Sequence, residues 1–339
     1  MDPVTTLEQS PPETPPDAPV AHDRRKRRVI GVLIWVAAFG VFVAVVGVPT
    51  SDPLTAFGWL WLGTIAWRSH LPWRQHLLFL RDWLPVALLL VLYNVSRGAA
   101  DNLFTPHVTP MIRADEDLFG WFTGGRVPTI WLQQHLYHPG VVQWWEVIVT
   151  LIYTSHFLTV PTVAVVLWVR NRRLSYRFMR RWITLSVAGL VTYFVYPAAP
   201  PWWAWQHGYL AEPVARISTN GWSALGLHSA GNSLNALQAD QSNPVAAMPS
   251  LHTAYALMAV VFFLPMVRRR WWPVLLAYPL AMTFTLVYSG EHYVADVLVG
   301  WLYVAITFTV VGLAERWWAG FGERRNSQER EMKAPSRVR

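Results

Sequence analysis

Apolar runs of membrane-spanning length constrain this chain more than any other feature. They cover residues 29–48, 53–67, 77–96, 141–169, 182–197, 249–267, 272–289 and 292–314. About 20 residues of helix cross a hydrocarbon core, and the 53–67 run is the shortest measured against that need. In lipid a backbone must satisfy its own hydrogen bonds, so uninterrupted runs of this kind fold as helices. The predicted fold class is therefore all-α: a polytopic transmembrane helical bundle of about eight spans. Only 14% of the residues are charged, whereas soluble domains carry about 25%.

The basic residues orient the bundle. An even number of spans puts both termini on one side. With the N-terminus in the cytoplasm, Lys and Arg number five over 24–28, three over 68–81, six over 170–181, three over 268–270 and seven over 316–339. That assigns 24 of the 28 to inner segments and leaves Arg97, Arg113, Arg126 and Arg216 outside. The bias matches the positive-inside rule. The same distribution argues against nucleic acid as the partner of a chain with net charge +8, because the basic residues fall in bursts between apolar runs and form no continuous patch. Zero cysteines exclude disulfides and thiolate chemistry.

Residues 1–28 read as a disordered, basic cytoplasmic tail, 29–76 as N-terminal membrane spans, 77–315 as the main membrane domain and 316–339 as a basic cytoplasmic tail. Two outer segments are long. Residues 98–140 predict a loop with a short interfacial helix near 126–137. Residues 198–248 begin with Ala198-Ala199-Pro200-Pro201-Trp202-Trp203 and continue rich in Gly, Ser and Asn. Loops of this length in a compact protein are functional or disordered, and Trp202, Trp203 and Trp205 suit an interfacial aromatic belt.

The derived topology gathers the ionisable residues at outer span ends. His252 opens the sixth span and His292 the eighth; Arg97 closes the third, and His156 lies within the fourth run. Such groups are costly in a membrane and mark function or pairing. His292 and Asp296 are four apart, hence on one helix face. That spacing suits a nucleophilic imidazole whose tautomer a carboxylate fixes, and it equally suits a pair of metal ligands. His252 can serve as a general acid. Pro249 and Ser250 read as a helix start, with Ser250 as cap, and helix N-termini attract anions such as phosphate. Polar groups at outer span ends also favour interfacial chemistry over a transporter or flippase for anionic lipid, which keeps its site at mid-membrane.

At these positions the chain resembles the type 2 phosphatidic acid phosphatase superfamily of membrane lipid phosphatases and phosphotransferases. Its second motif, Pro-Ser-Gly-His, is approximated by Pro249-Ser250-Leu251-His252. Its third, Ser-Arg-x5-His-x3-Asp, is approximated by Thr285-Leu286 followed by His292-Tyr293-Val294-Ala295-Asp296. The Lys-x6-Arg-Pro first motif is absent. Pro-Ser-Leu-His, Ser289-Gly290-Glu291-His292-Tyr293 with Asp296-Val297, and Pro197-Ala198-Ala199-Pro200-Pro201-Trp202 together resemble the inositol phosphorylceramide synthase-like branch, which carries a second His where this chain has Glu291. The resemblance spans roughly 85–315.

It implies a six-helix catalytic core with the extra helices N-terminal to it. It also implies a metal-independent enzyme without cofactor, with His292 as nucleophile, Asp296 as its orienting partner and His252 as acid. Arg97 is the first choice for binding phosphate, with Ser250, Tyr293 and His156 as further substrate contacts. The expected reaction moves a phosphoryl headgroup, inositol phosphate among the candidates, from a phospholipid to a lipid hydroxyl at the outer face of the cell membrane. The alternative is a lipid or polyprenyl phosphate phosphatase with water as acceptor.

Overall fold

The computed structural model describes residues 18–45, 53–103, 105–226 and 245–333. Among them it holds helices and no strand: α1 (Ala18–Val45), α2 (Pro53–Trp67), α3 (Trp73–Leu103), α4 (Thr109–Thr123), α5 (Pro128–Leu136), α6 (Trp144–Arg170), α7 (Arg172–Val195), α8 (Pro201–Gln206), α9 (Gly221–Ala224), α10 (Leu251–Phe263), α11 (Trp272–Tyr288) and α12 (Val294–Lys333). The all-α architecture agrees with the apolar runs. Four helices, Trp73–Leu92, Trp144–Arg170, Arg269–Tyr288 and Val294–Phe321, are long and apolar enough to cross a membrane, and Leu251–Met266 is a shorter apolar helix.

The chain divides into two compact units, residues 1–87 and 88–339. In the first, α1 and α2 meet through aromatic rings: Phe39 lies 5.1 Å from Trp59, and the Trp35 indole N–H donates to the Trp59 carbonyl at 3.0 Å. The basic run Arg24–Arg28, expected in a disordered tail, is instead helical from Ala18 onward. Residues 21–30 hold no Gly or Pro, and Asp23 pairs with Arg27 one turn on at 2.9 Å, a spacing that supports helix. Residues 1–17 lie outside the described part.

In the second unit the interior mixes small and polar residues with large ones such as Trp168, Phe178 and Leu286, while many large apolar residues face outward. Thr150, Ser175, Ser186, Thr253, Ala254, Ala256, Ala259 and Thr307 are buried, whereas Leu298, Leu302, Ile306, Val310 and Leu313 of α12 are exposed. The exposed set recurs every three or four residues and so forms one stripe. Lipid accepts that stripe; water would not. Buried hydroxyls pair across the interior: Ser186 with Tyr255 at 2.6 Å, Thr192 with Tyr303 at 2.7 Å, and Ser155 with Tyr278 at 2.8 Å.

The segment 98–140 holds more helix than expected. Besides α5, which matches the anticipated interfacial helix, α4 occupies 109–123 and stops at Gly124 in the left-handed region. Its buried face presents Met111, Ile112 and Asp115, while Leu118, Trp121 and Phe122 are exposed, as in a helix lying at an interface.

Just past its midpoint α12 is fastened to α7. Glu315 accepts from Arg180 at 2.6 Å and from Arg181 at 3.0 Å. Glu315 is nineteen residues beyond Asp296, about 28 Å along a helix, close to the hydrocarbon thickness. This antiparallel clamp sets the depth of the residues at the start of α12. We expect Glu315→Ala to cost about 2 to 4 kcal/mol, the penalty for leaving a largely buried charge without its partner, because Arg181 is only 7% exposed. A clear fall in the thermal unfolding temperature in detergent checks this; an unchanged temperature contradicts it.

Candidate active site

The site is assembled on the turn between α11 and α12. The Leu286 carbonyl accepts from Glu291 N–H at 3.0 Å and from His292 N–H at 3.3 Å. Gly290 has φ +78°, and a side chain there would meet Val214 at 2.9 Å and the Ala215 carbonyl at 3.0 Å. Both the left-handed backbone and the contact require glycine. Three segments distant from it in sequence hold the turn by its carbonyls. Trp202 N–H donates to Gly290 at 3.2 Å and Ile217 N–H to Ser289 at 3.3 Å. The Gln133 amide donates to Tyr288 and to Ala215, each at 2.8 Å, and accepts from Ala215 N–H at 2.9 Å.

The Pro-x2-Pro-Pro-Trp segment is fixed by its own backbone. Ala199 N–H donates to His107, Ala198 N–H to Val245, and Ala247 N–H to Ala198, at 3.0, 2.7 and 2.9 Å. The Pro-Ser-Leu-His segment meets α12 directly. Ser250 N–H donates to the Asp296 carbonyl at 3.0 Å, and a Cβ on Gly300 would lie 2.6 Å from the Ser250 carbonyl. Only glycine at 300 permits that approach. Ser250 caps α10 by accepting from Thr253 N–H, and Tyr193 donates to the Pro249 carbonyl at 2.8 Å.

These contacts bring the motif histidines together. His292 Nε2 lies 3.4 Å from His252 Nδ1. His292 Nδ1 faces Asp296 Oδ2 at 3.5 Å, which is an ion-pair distance and longer than a normal hydrogen bond. Catalytic contacts of this kind commonly tighten only around substrate. The His156 ring stands 4.0 Å from that of His252, with Tyr153 stacked on the same ring at 5.5 Å. Among the described residues, the buried atoms His292 Nδ1, Asp296 Oδ1, Tyr293 OH, His156 Nδ1 and Trp202 Nε1 have no hydrogen-bond partner. Unpaired buried polar atoms are uncommon, and here one falls on each partner of the His292–Asp296 pair. No group of three or more His, Asp or Glu among the described residues is arranged to hold a metal ion.

The first turn of α12 is capped by two carboxylates. Asp296 Oδ2 accepts from Tyr293 N–H at 2.9 Å, reaching back three residues as in a capping box. Asp115 of α4 accepts from Val294 N–H at 2.9 Å and Ala295 N–H at 2.8 Å. Asp115 has no role legible from sequence, because its partner lies 179 residues away. Arg216 is likewise drawn in. Its Nε donates to Glu291 at 2.8 Å, Ser218 donates to the same oxygen at 2.6 Å, and the guanidinium lies 4.6 Å from the Trp202 ring centroid. Burial works against the Arg216 charge, but the Glu291 carboxylate outweighs it and raises the pKa. Arg97 lies in α3, and its side chain is outside the described residues. Leu286, where the third motif has Arg, is buried with Tyr153, Ala256 and Met282.

The PAP2 superfamily profile matches residues 127–310. The chain belongs to the PAP2 superfamily. The match begins at α5 and contains both motif segments, a narrower stretch than the 85–315 expected. A PAP2 relative, phosphoinositol dihydroceramide synthase of Bacteroides thetaiotaomicron, is 27% identical over 225 residues, covering 64% of this chain and 71% of the relative. It supports the inositol phosphorylceramide synthase-like branch. No solved structure gives a significant match.

Asp115 makes this PAP2 site sensitive to pH. Burial pushes its pKa from 3.8 to about 7; the two amide hydrogen bonds oppose the rise and Asp296 adds to it. A folded pKa above the unfolded one means that the stabilising contribution is full below the unfolded pKa and is lost as pH rises through the folded pKa near 7. We expect Asp115→Asn to flatten the stability profile across that window and to cost about 1 kcal/mol as a weakened cap. Thermal unfolding in detergent against pH measures both; an unchanged slope contradicts the assignment.

Proposed function

We propose that this PAP2 protein is a membrane lipid phosphotransferase that moves a headgroup phosphate, inositol phosphate first among the candidates, from a phospholipid to the hydroxyl of a second lipid. The observation that carries the reading is the meeting of His292 and His252, 3.4 Å apart with Asp296 behind His292. The relative's name, a phosphoinositol dihydroceramide synthase, supports the choice of headgroup and a long-chain lipid alcohol as acceptor.

In the proposed reaction His292 Nε2 attacks phosphorus, forming a P–N bond as the P–O bond to the glycerolipid breaks. His252 supplies the proton that the departing oxygen needs. The acceptor hydroxyl then attacks phosphorus, the P–N bond breaks, and His252 takes up the hydroxyl proton. Asp296 holds the Nδ1 tautomer and stabilises the cationic imidazole that forms on attack. Because 3.4 Å cannot hold phosphorus between the two nitrogens, the rings must part when substrate enters. His156, against the far side of the His252 ring, limits how that ring turns. Ser250 acts by capping α10, whose first N–H groups attract phosphate, and Tyr293 acts through the N–H that fixes Asp296. Arg97 is retained as a phosphate contact from its place near the end of the third span.

The proposed setting is the cell membrane, with eight crossings, both termini in the cytoplasm and the site at the outer face. The charge pattern supports it, with 24 of 28 basic residues on inner segments. The Glu315 clamp lies about five helical turns from Asp296 along α12.

The test is to follow a headgroup-labelled phospholipid panel in vesicles that contain a ceramide-type acceptor. We expect label to enter a new lipid without added metal and in the presence of chelator. His292→Ala should abolish transfer while leaving the protein folded. Asp296→Asn should reduce it by about 10²- to 10⁴-fold, the scale of a lost orienting group, since an amide oxygen can still accept from Tyr293. Substantial turnover by His292→Ala refutes the nucleophile, and label released only to water refutes transfer.

A further inference from the structure

Phosphoryl transfer needs a cation where charge develops on the equatorial oxygens. The usual motif positions do not provide one here. No Lys-x6-Arg-Pro segment is present, and Leu286, in the place of the third-motif Arg, is packed into the core. The cation must come from elsewhere in the outer segments. Among the arginines with described side chains there, Arg113 is exposed on α4, and Arg126 is exposed and occupied by Glu212 at 2.7 Å. Arg216 differs from both. It is 25% exposed and bound at 2.8 Å to the residue that precedes His292.

We propose that Arg216 is the phosphate-binding cation of this site and that Glu291 is its holder. This rests on the histidine reading above and deepens it. Among the described residues, only Nε of Arg216 is engaged, so the two terminal amino groups form a free edge suited to bidentate phosphate. The Gln133 hydrogen bonds to Ala215 and Tyr288 fix Arg216 and Glu291 as neighbours. Trp202, 4.6 Å away, covers one face of the guanidinium.

Glu291 answers an electrostatic difficulty. A lone cation beside an apolar rim is costly, whereas a paired one is tolerated. Glu291 is 8% exposed, and Ser218 as well as Arg216 donates to its Oε1, so the pair rests neutral before substrate arrives. Phosphate then competes with the carboxylate for the guanidinium. The branch has His at the position of Glu291, so the holder belongs to this chain's own version of the site.

The test is inhibition by orthovanadate, a mimic of the pentacoordinate phosphoryl group, alongside turnover of labelled lipid. Arg216→Ala should weaken vanadate inhibition and lower kcat by about 100-fold or more, the scale of losing one charge-stabilising donor. Arg216→Lys should keep an intermediate affinity, since it preserves charge and loses the fork. Glu291→Gln should tighten vanadate, because the competing charge is removed while Ser218 and Arg216 keep an acceptor. Guanidinium ion added to Arg216→Ala should restore part of the turnover. Opposite signs for the two positions separate an anion site from a structural ion pair; equal weakening by both overturns the proposal. Unchanged vanadate affinity in Arg216→Ala, in a protein whose turnover still needs His292, overturns it and leaves the histidine reading standing. Turnover that survives His292→Ala overturns both.

Discussion

The structure depends on how the turn from Tyr288 to Tyr293 is held. Its carbonyls are taken by Trp202, Ile217 and Gln133, which come from three segments distant in sequence, and its end is fixed by carboxylates from Asp296 and Asp115. A backbone turn between two membrane helices carries polar groups that lipid cannot satisfy. The segments that carry Gln133, Trp202 and Ile217 supply the missing partners, and in doing so they bring Trp202 and Arg216 to Glu291, beside His292. Satisfying the backbone and building the site are one act.

Two constraints then fix the position of His292. Along the helix axis, Glu315 and the α7 arginines hold α12 just past its midpoint. In the plane, Gly300 lets Ser250 reach the Asp296 carbonyl, so α10 and its His252 cannot drift from His292. Leu251, the departure from Pro-Ser-Gly-His, is accommodated because its side chain lies over Gly189, which has no Cβ to displace it. The interior is joined by hydroxyl pairs such as Ser186 with Tyr255, as expected where lipid provides no hydrophobic force between helices.

The all-α membrane bundle and the PAP2 relationship were legible in the sequence, because span length and the motif spacings are local. The nearness of His252 to His292 could be anticipated only by placing both at one membrane face, and their 3.4 Å separation needed the fold. Asp115, Gln133 and Glu291 with Arg216 were not legible in these roles. Each acts through a partner more than 70 residues away, and their surroundings in sequence look like ordinary interfacial loop. Arg97 was chosen for its depth at a span end, and its side chain lies outside the described residues, whereas the pairing of Arg216 with Glu291 is made only by the folded loop. Helix α4 was missed because its apolar face is one side of a short amphipathic segment and not a spanning run.

The central claim is that phosphorus passes through His292. It is tested most directly by mixing the protein with phospholipid labelled in its headgroup phosphate, stopping the reaction in alkaline denaturant during turnover, and sequencing the labelled peptide. The account predicts a headgroup-phosphoryl adduct on His292 that is lost on acid treatment and absent from His292→Gln. Transfer that proceeds while His292 stays unlabelled, or an adduct on any other residue, would contradict it.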